Sequence, residues 1–266
     1  MHRLLIALLL CLSWSAHAAD TYTLIEDRVY ASPGGHDLLV DLYIPHGDEP
    51  FPAVLLIHGG GWIRGEPADM DRYATRLVEQ GFAVANISYR LAPEYPFPAQ
   101  LDDVRSALRW LRRQAAGLHI NPDKIGVFGY SAGAHLAMLL GVASPANPAE
   151  RVAAVVAGSG PYDLRPYTDS PYVLKLLGGP PPGREALYAA ASPITQVSRD
   201  DAPAYLYHGR GDKLVEVEQS INMVAALKAK GVPVYYREEP FGHALTYLFD
   251  SDAMAMAVQF LNQYLR

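Results

Sequence analysis

The chain has 266 residues, the length of one α/β domain, and its formal net charge is −6. Half of the residues are hydrophobic and 19% are charged, which excludes a disordered chain. Because nucleic-acid binding requires a basic face and no long Lys/Arg run is present, nucleic acid is excluded as a partner. We therefore expect the partners to be small molecules.

The first residues have the layout of a secretory signal. A basic start (residues 2–3) precedes an apolar run (4–12) too short to span a bilayer, and Ala16-His17-Ala18 supplies the small-x-small pattern of a cleavage site. This predicts a signal peptide over residues 1–19, cleaved after Ala18 or Ala19. The protein is then exported, to the periplasm or the medium, without a stable membrane anchor.

Cys11 is the single cysteine of the chain and lies inside the predicted signal peptide. Leu10 stands where a lipoprotein signal would have a small residue, which argues against lipidation. The mature chain is therefore expected to have no disulfide, no thiol nucleophile and no cysteine metal ligand.

Residues 20–266 contain no repeat or linker, which predicts one domain. Two alternating stretches, Leu24–Ser32 and Asp37–Ile44, predict an antiparallel hairpin at the edge of a sheet, with a turn at Pro33-Gly34-Gly35. Six apolar runs then predict buried parallel strands. They are Ala53–Ile57, Ala83–Ser88, Ile125–Phe128, Ala153–Ala157, Ala204–Tyr207 and Val234–Arg237.

Amphipathic stretches at residues 70–78, 101–111, 221–227 and 253–265 predict helices between and after these strands. The alternation is typical of an α/β fold in three layers, with a mostly parallel sheet of about eight strands between helices. Residues 160–197 break the rhythm with seven prolines. We expect a short cap excursion there, which either lines a substrate site or is a surface loop.

The strongest local motif is Gly129-Tyr130-Ser131-Ala132-Gly133, which follows the run Ile125–Phe128 and opens a stretch of helix-forming composition. A strand-to-helix turn of this type lifts a serine hydroxyl above the end of the sheet on a strained backbone. Glycine stands two positions to either side because larger side chains would collide with the strand and the helix. The motif predicts that Ser131 is a nucleophile.

A second motif, His58-Gly59-Gly60-Gly61-Trp62, follows the run Ala53–Ile57 directly. Consecutive glycines let backbone N–H groups face a substrate oxygen without interference from side chains. Together with the N–H of Ala132, these groups predict an oxyanion hole. The alternative is a flexible turn that joins strand to helix.

A serine nucleophile needs a base that is held by an acid, and the chain order on this type of fold is Ser, Asp or Glu, His. Asp212 follows the run Ala204–Tyr207, and His243 follows the run Val234–Arg237. Because active sites of such sheets lie at the carboxyl ends of the strands, we expect Ser131, Asp212 and His243 to converge.

Other candidates carry weaker arguments. His208 is expected to pack near the core, and His135 to point into the body of the protein. His58 is expected to orient the glycine loop, and Asp163 is the alternative acid. Asp200 and Asp201 precede a strand, whereas Asp102 and Asp103 begin a helix, where acidic residues favour the dipole.

No cofactor or metal is expected. The sequence has neither the His and carboxylate spacing of a metal site nor a dinucleotide or phosphate-binding glycine pattern after a strand.

On these residues, the chain resembles the hormone-sensitive-lipase-like carboxylesterases of the α/β-hydrolase superfamily, from about Tyr43 to the C-terminus. The resemblance implies the triad Ser131, Asp212 and His243, with Gly60, Gly61 and Ala132 as oxyanion donors. It rests on the two motifs above, on Ser88-Tyr89-Arg90-Leu91-Ala92-Pro93-Glu94, on Gly211-Asp212 and on Gly242-His243.

The sequence departs from that group in two features. Many members have Asp where Tyr130 stands, and the helical N-terminal cap of that group is missing. The run from Gly129 to Leu136 also resembles the arylformamidase and carbohydrate-esterase branches.

The leading hypothesis is a serine-dependent carboxylic ester hydrolase (class 3.1.1.-) that acts on small or short-acyl esters through an acyl-enzyme, with water as second substrate. The alternatives are an arylformamidase, an acetyl or feruloyl carbohydrate esterase, and an exopeptidase. A non-catalytic binding protein on a hydrolase scaffold is the competing class. The sequence leaves the oligomeric state open.

Overall fold

The computed structural model describes residues 21–142 and 147–266. The predicted signal peptide and Cys11 lie outside these residues, so export stays a prediction. No helix within the described residues is long and apolar enough to cross a bilayer.

In the part of the chain that the structure describes, eight strands form one sheet in the order β1-β2-β4-β3-β5-β6-β7-β8. β1 pairs antiparallel with β2 and β2 antiparallel with β4, whereas β4, β3 and β5 to β8 run parallel. The expected edge hairpin and mostly parallel sheet are confirmed. The strands are Tyr22–Ala31 (β1), Leu38–Pro45 (β2), Phe51–Ile57 (β3), Ala83–Ile87 (β4), Ile120–Tyr130 (β5), Val155–Gly158 (β6), Ala204–Gly209 (β7) and Val234–Glu239 (β8).

Strand boundaries differ from the predicted runs mainly at β5, which begins at Ile120 and extends through Gly129 to Tyr130. Between Ile120 and Ile125 the added residues are Asn, Pro, Asp and Lys, so hydrophobicity gave no signal for a continuous strand there. They are held by pairing, since Ile120 lies opposite Phe51 and Gly129 opposite Ile57 on β3. This pairing carries β5 up to the residue before Ser131.

Helices cover both faces of the sheet, as expected for three layers. One core contains buried side chains of α2, α3 and α6, and the other contains those of α1 and α8. The helices are Asp71–Glu79 (α1), Ala99–Gln114 (α2), Ala132–Val142 (α3), Pro171–Leu177 (α4), Glu185–Ala190 (α5), Glu218–Ala229 (α6), His243–Leu248 (α7) and Ser251–Leu265 (α8).

Residues 160–197, called the cap below, contain only the short helices α4 and α5 and a 3₁₀ turn at Pro193–Gln196. Gln219 of α6 anchors the start of the cap, because its Oε1 accepts from the backbone N–H groups of Tyr162 and Asp163 at 2.8 and 2.7 Å. The short cap excursion is confirmed, and it lies above the carboxyl ends of the strands, where its residues line a cavity.

Candidate active site

Ser131 occupies a strained turn between β5 and α3. Its backbone φ is +56°, in the left-handed region that non-glycine residues rarely adopt. Its N–H donates to the carbonyl of Gly158 on β6 at 2.7 Å. A Cβ at Gly129 would lie 2.2 Å from the carbonyl oxygen of Gly133, and one at Gly133 would lie 2.1 Å from that of Ile57. The close passage of strand and helix therefore requires both glycines.

His243 bridges Ser131 and Asp212. Its Nε2 lies 2.9 Å from Ser131 Oγ, and its Nδ1 lies 2.6 Å from Asp212 Oδ2. A carboxylate can only accept, so Nδ1 carries the hydrogen and Nε2 of the neutral ring is free to take the serine proton. The structure thus brings together the three side chains that the sequence predicted to converge.

Asp212 is buried and yet held as a carboxylate. Its Oδ1 accepts from the backbone N–H groups of Leu214 and Val215 at 2.9 and 3.0 Å. Burial alone would raise the pKa of this carboxyl, but donors from His208, His243 and Val215 outweigh it and hold the pKa well below its ordinary value. The negative charge that orients His243 is therefore present throughout the neutral range.

The glycine loop lies directly beside Ser131. A Cβ at Gly59 would sit 3.0 Å from the carbonyl oxygen of Tyr130 and 3.4 Å from Ser131 Cβ. Gly60 and Gly61 have φ of +102° and +61°, so the turn at these two residues needs glycine. Both line the same cavity as Ser131 and Ala132.

Two aromatic contacts hold the glycine loop in place. Tyr89 stacks on the buried His58 ring with centroids 4.2 Å apart, and its hydroxyl donates to the carbonyls of His58 and Gly59 at 3.1 and 3.2 Å. Trp62 Nε1 donates to His135 Nδ1 at 3.2 Å, while His135 Nε2 donates to the carbonyl of Ala191 at 2.7 Å. His135 therefore links this loop, α3 and the cap.

Tyr130 supports the other side of the triad. Its hydroxyl donates to the backbone carbonyl of His243 at 2.6 Å, and its ring lies 5.4 Å from the His243 ring and 5.1 Å from that of Tyr247. Many members of the resembled group have an acid at this position. Here the aromatic residue ties the start of α7 to β5.

Ser131 and His243 line a cavity of about 270 Å³. The glycine loop and Trp62 form one wall, and α7 contributes His243, Ala244 and Tyr247. The cap contributes five residues, so residues 160–197 line the cavity rather than form only a surface loop. The cap residues that line the cavity are Pro161, Tyr167, Ser170, Tyr172 and Val173.

A family model described as BD-FAE matches residues 40–227 of the chain. The chain belongs to the BD-FAE family. A relative from Mycobacterium tuberculosis, described as "Probable carboxylic ester hydrolase LipM", is 33% identical over 226 residues, which cover 78% of this chain and 52% of the relative. The chain thus spans about half the length of this curated relative. The resemblance to α/β-hydrolase carboxylesterases is confirmed.

Solved structures show the same fold as this BD-FAE family member. A structure described as "Truncated form of carbohydrate esterase from gut microbiota" has a TM-score of 0.81 and 28% identity, and the match covers 93% of this chain and 98% of that one. An acetyl ester-xyloside bifunctional hydrolase from Caldicellulosiruptor lactoaceticus has a TM-score of 0.76 and 27% identity, covering 85% and 88% of the two chains.

The weaker candidates lie apart from the reacting groups or support them. Asp163 pairs with Arg165 at 2.8 Å, and His135 is buried beneath the site. Asp201 binds Ser198, before β7 begins. Asp103 does more than begin a helix, because it is buried and holds Arg90 through a bidentate ion pair. No group of three metal-ligating side chains occurs among the described residues.

Sequence reasoning missed the supports of the site. The motif Ser88-Tyr89-Arg90 belongs to the family resemblance, but its sequence alone does not indicate that Tyr89 binds the glycine loop or that Arg90 pairs with Asp103. Its position directly after a buried strand was the available signal. His208 is buried, as expected, but the sequence did not indicate that its Nε2 lies 3.3 Å from Asp212 Oδ2.

Proposed function

We propose that the protein hydrolyses carboxylic esters of short acyl groups through an acyl-enzyme on Ser131. The observation that carries this proposal is the chain of contacts Ser131 Oγ–His243 Nε2 at 2.9 Å and His243 Nδ1–Asp212 Oδ2 at 2.6 Å, beside a glycine loop that forms one wall of a cavity. Each contact lies within proton-sharing distance.

In the first half-reaction, His243 Nε2 removes the proton from Ser131 as Oγ attacks the ester carbonyl carbon. The tetrahedral intermediate bears a negative oxygen, which the N–H groups of Gly60, Gly61 and Ala132 stabilise. The protonated His243 is stabilised by the carboxylate of Asp212. It then gives its proton to the leaving alcohol, and the carbon–oxygen bond to that alcohol breaks.

In the second half-reaction, His243 removes a proton from a water molecule that attacks the acyl carbon. The intermediate collapses, Ser131 recovers its proton from His243, and the carboxylic acid leaves. The same oxyanion donors serve both halves, because the negative oxygen forms at the same place.

The size of the cavity supports small substrates. Its volume of about 270 Å³ lies just below the ~300–1,000 Å³ of typical small-molecule sites. Val173, Leu214 and Met70 give it apolar walls. A short acyl group fits such a space, whereas a long chain would have to extend into solvent.

A carbohydrate ester is the second candidate. The rings of Tyr167, Tyr172 and Tyr247 line the cavity and offer apolar faces with polar hydroxyls, a combination that suits a sugar ring. The similarity to a structure described as a carbohydrate esterase points the same way. The alcohol part of the substrate would then be a sugar hydroxyl.

A substrate panel tests both candidates with the wild type and Ser131→Ala. The panel contains p-nitrophenyl esters from acetate to decanoate, acetylated xylosides, feruloyl esters, aryl formamides and an aminoacyl p-nitroanilide. We expect kcat/KM to be highest for acetyl and propionyl esters and to fall with chain length.

We expect Ser131→Ala to lower kcat by about 10⁴-fold or more on every substrate that the wild type cleaves. An unchanged rate in Ser131→Ala would exclude the serine mechanism. Higher kcat/KM for acetylated xylosides than for p-nitrophenyl acetate would favour the carbohydrate ester. Higher kcat/KM for the formamides or the anilide than for the esters would show that the preferred substrate is an amide rather than an ester.

A further inference from the structure

His208 is a second histidine beside the carboxylate that orients His243. It lies on β7, and its side chain is fully buried. Nε2 is 2.9 Å from the carbonyl oxygen of Val215 and 3.3 Å from Asp212 Oδ2, while Nδ1 is 2.7 Å from Ser220 Oγ on α6. Buried histidines with all ring nitrogens engaged are held in one orientation.

The partners of His208 fix where its hydrogen lies. The carbonyl of Val215 can only accept, so Nε2 must carry a hydrogen. In a neutral ring Nδ1 is then the acceptor, and the hydroxyl of Ser220 donates to it. The edge of the ring that faces Asp212 is therefore the one that carries the N–H group.

This hydrogen acts on Asp212 by two routes. It binds the carbonyl of Val215, and thereby fixes the turn whose N–H groups at Leu214 and Val215 donate to Asp212 Oδ1. It also presents positive charge to Oδ2, the oxygen that accepts from His243 Nδ1 at 2.6 Å. Both oxygens of the carboxylate are thus held through one ring.

We propose that His208 is a positioning residue of the triad, which aligns the Asp212 carboxylate with His243 Nδ1 and shares its negative charge. The inference rests on the proposed serine mechanism and assigns His208 no contact with the substrate. Because part of the carboxylate charge is spent on His208, less of it acts on His243. His208 therefore competes with His243 Nδ1 for the charge on Asp212 Oδ2.

Two tyrosines and one glutamate lie near the pair of His208 and Asp212. Tyr130 from β5 and Tyr167 from the cap lie close enough for the charge of Asp212 to act on them. Burial raises the pKa of both hydroxyls well above the ordinary tyrosine value. Glu216, on the turn after Asp212, accepts from the Tyr167 hydroxyl at 2.5 Å. The two tyrosine hydroxyls therefore stay protonated between pH 5 and 9 and add no step to the pH profile of the rate.

Two amide variants separate positioning from mere packing. In His208→Gln the side-chain nitrogen reaches about as far as Nε2 and can still donate to Val215 and Asp212. In His208→Asn the nitrogen reaches only as far as Nδ1, toward Ser220. Both amides are polar and uncharged, and they differ in whether the lost donor is restored.

The test measures kcat and KM for p-nitrophenyl acetate from pH 5 to 9 in the wild type and both variants. For His208→Asn we expect kcat to fall about tenfold at pH 8 with KM unchanged. On the acid side of the profile, we expect the pH at which kcat/KM is half its maximum (the acid midpoint) to rise by about half a unit. For His208→Gln we expect the acid midpoint of the wild type and most of the wild-type kcat. Equal kcat and equal acid midpoints in the two variants would overturn the inference. So would an acid midpoint that is unchanged or lower in His208→Asn.

A second measurement does not depend on the variants folding. Nitrogen-15 NMR of histidine-labelled wild-type protein at pH 8 should show the hydrogen of His208 on Nε2. A ring protonated only on Nδ1 would overturn the inference. If the wild type shows no ester hydrolysis that depends on Ser131, the proposed function fails instead, and the two failures are thereby distinguished.

Discussion

Replacing Asp212 with asparagine changes one atom and should disable the triad through the tautomer of His243. Oδ1 of Asp212 accepts from two backbone N–H groups, of Leu214 and Val215. The amide oxygen of the variant must take that place, which turns its NH₂ group toward His243 Nδ1. His243 then accepts at Nδ1 and carries its hydrogen on Nε2, where it cannot remove the proton of Ser131.

The productive arrangement needs the amide of Asp212→Asn to flip. That flip leaves two buried N–H groups without acceptors, at about 1–3 kcal/mol each. The flip therefore costs about 2–6 kcal/mol in total. The variant also lacks the carboxylate charge that stabilises protonated His243. Together these effects predict a loss of ~10³- to 10⁴-fold in kcat, equivalent to ~4–5.5 kcal/mol.

The assay for Asp212→Asn is the steady-state hydrolysis of p-nitrophenyl acetate at pH 8, with folding checked by circular dichroism. Asp163→Asn is the matched control, because Asp163 binds Arg165 rather than His243, and it should retain the wild-type kcat. A kcat of Asp212→Asn within tenfold of the wild type would refute the tautomer argument.

Two further outcomes follow from buried groups and close contacts. Burial lowers the pKa of both His58 and His135 to about 4, so the unfolded chain binds more protons than the folded one between pH 4 and 6.5. The free energy of unfolding, measured in urea, should therefore be lower at pH 5 than at pH 8, by about 2 kcal/mol per histidine. Equal stability at both pH values would contradict this. A Cβ at Gly61, where φ is +61°, would lie 2.5 Å from Tyr172 Cδ1. Gly61→Ala should lower kcat/KM by about 100-fold, and adding Tyr172→Ala should restore part of the loss. Wild-type kcat/KM in the single variant would show that the loop accepts a side chain at position 61.

The sequence predicted the sheet and the approach of the three reacting side chains because both follow from local rules. Apolar runs marked the strands, and parallel strands bring the loops at their carboxyl ends to one edge. Ser131, Asp212 and His243 each follow such a run. The structure refines this only slightly, since His243 begins α7 rather than lying in an extended loop.

The supports of the site were not predictable in the same way, because they join residues far apart in the chain. Nothing near Trp62 indicates that its indole N–H meets His135, 73 residues later. The helix position of Asp103 suggested a favourable dipole interaction, whereas tertiary packing pairs it with Arg90. The contacts of the cap were not predictable either. Its prolines excluded a long helix, but they did not indicate that the Tyr172 ring would lie close to Gly61.

Trapping the covalent intermediate tests the central claim most directly. The protein would be treated with a fluorophosphonate that phosphonylates activated serines, and the adduct located by mass spectrometry of the intact chain and its peptides. The account predicts one adduct, on Ser131, that is absent from Ser131→Ala and forms far more slowly in His243→Ala. An adduct on another residue, or an active esterase that takes up no label at Ser131, would contradict it.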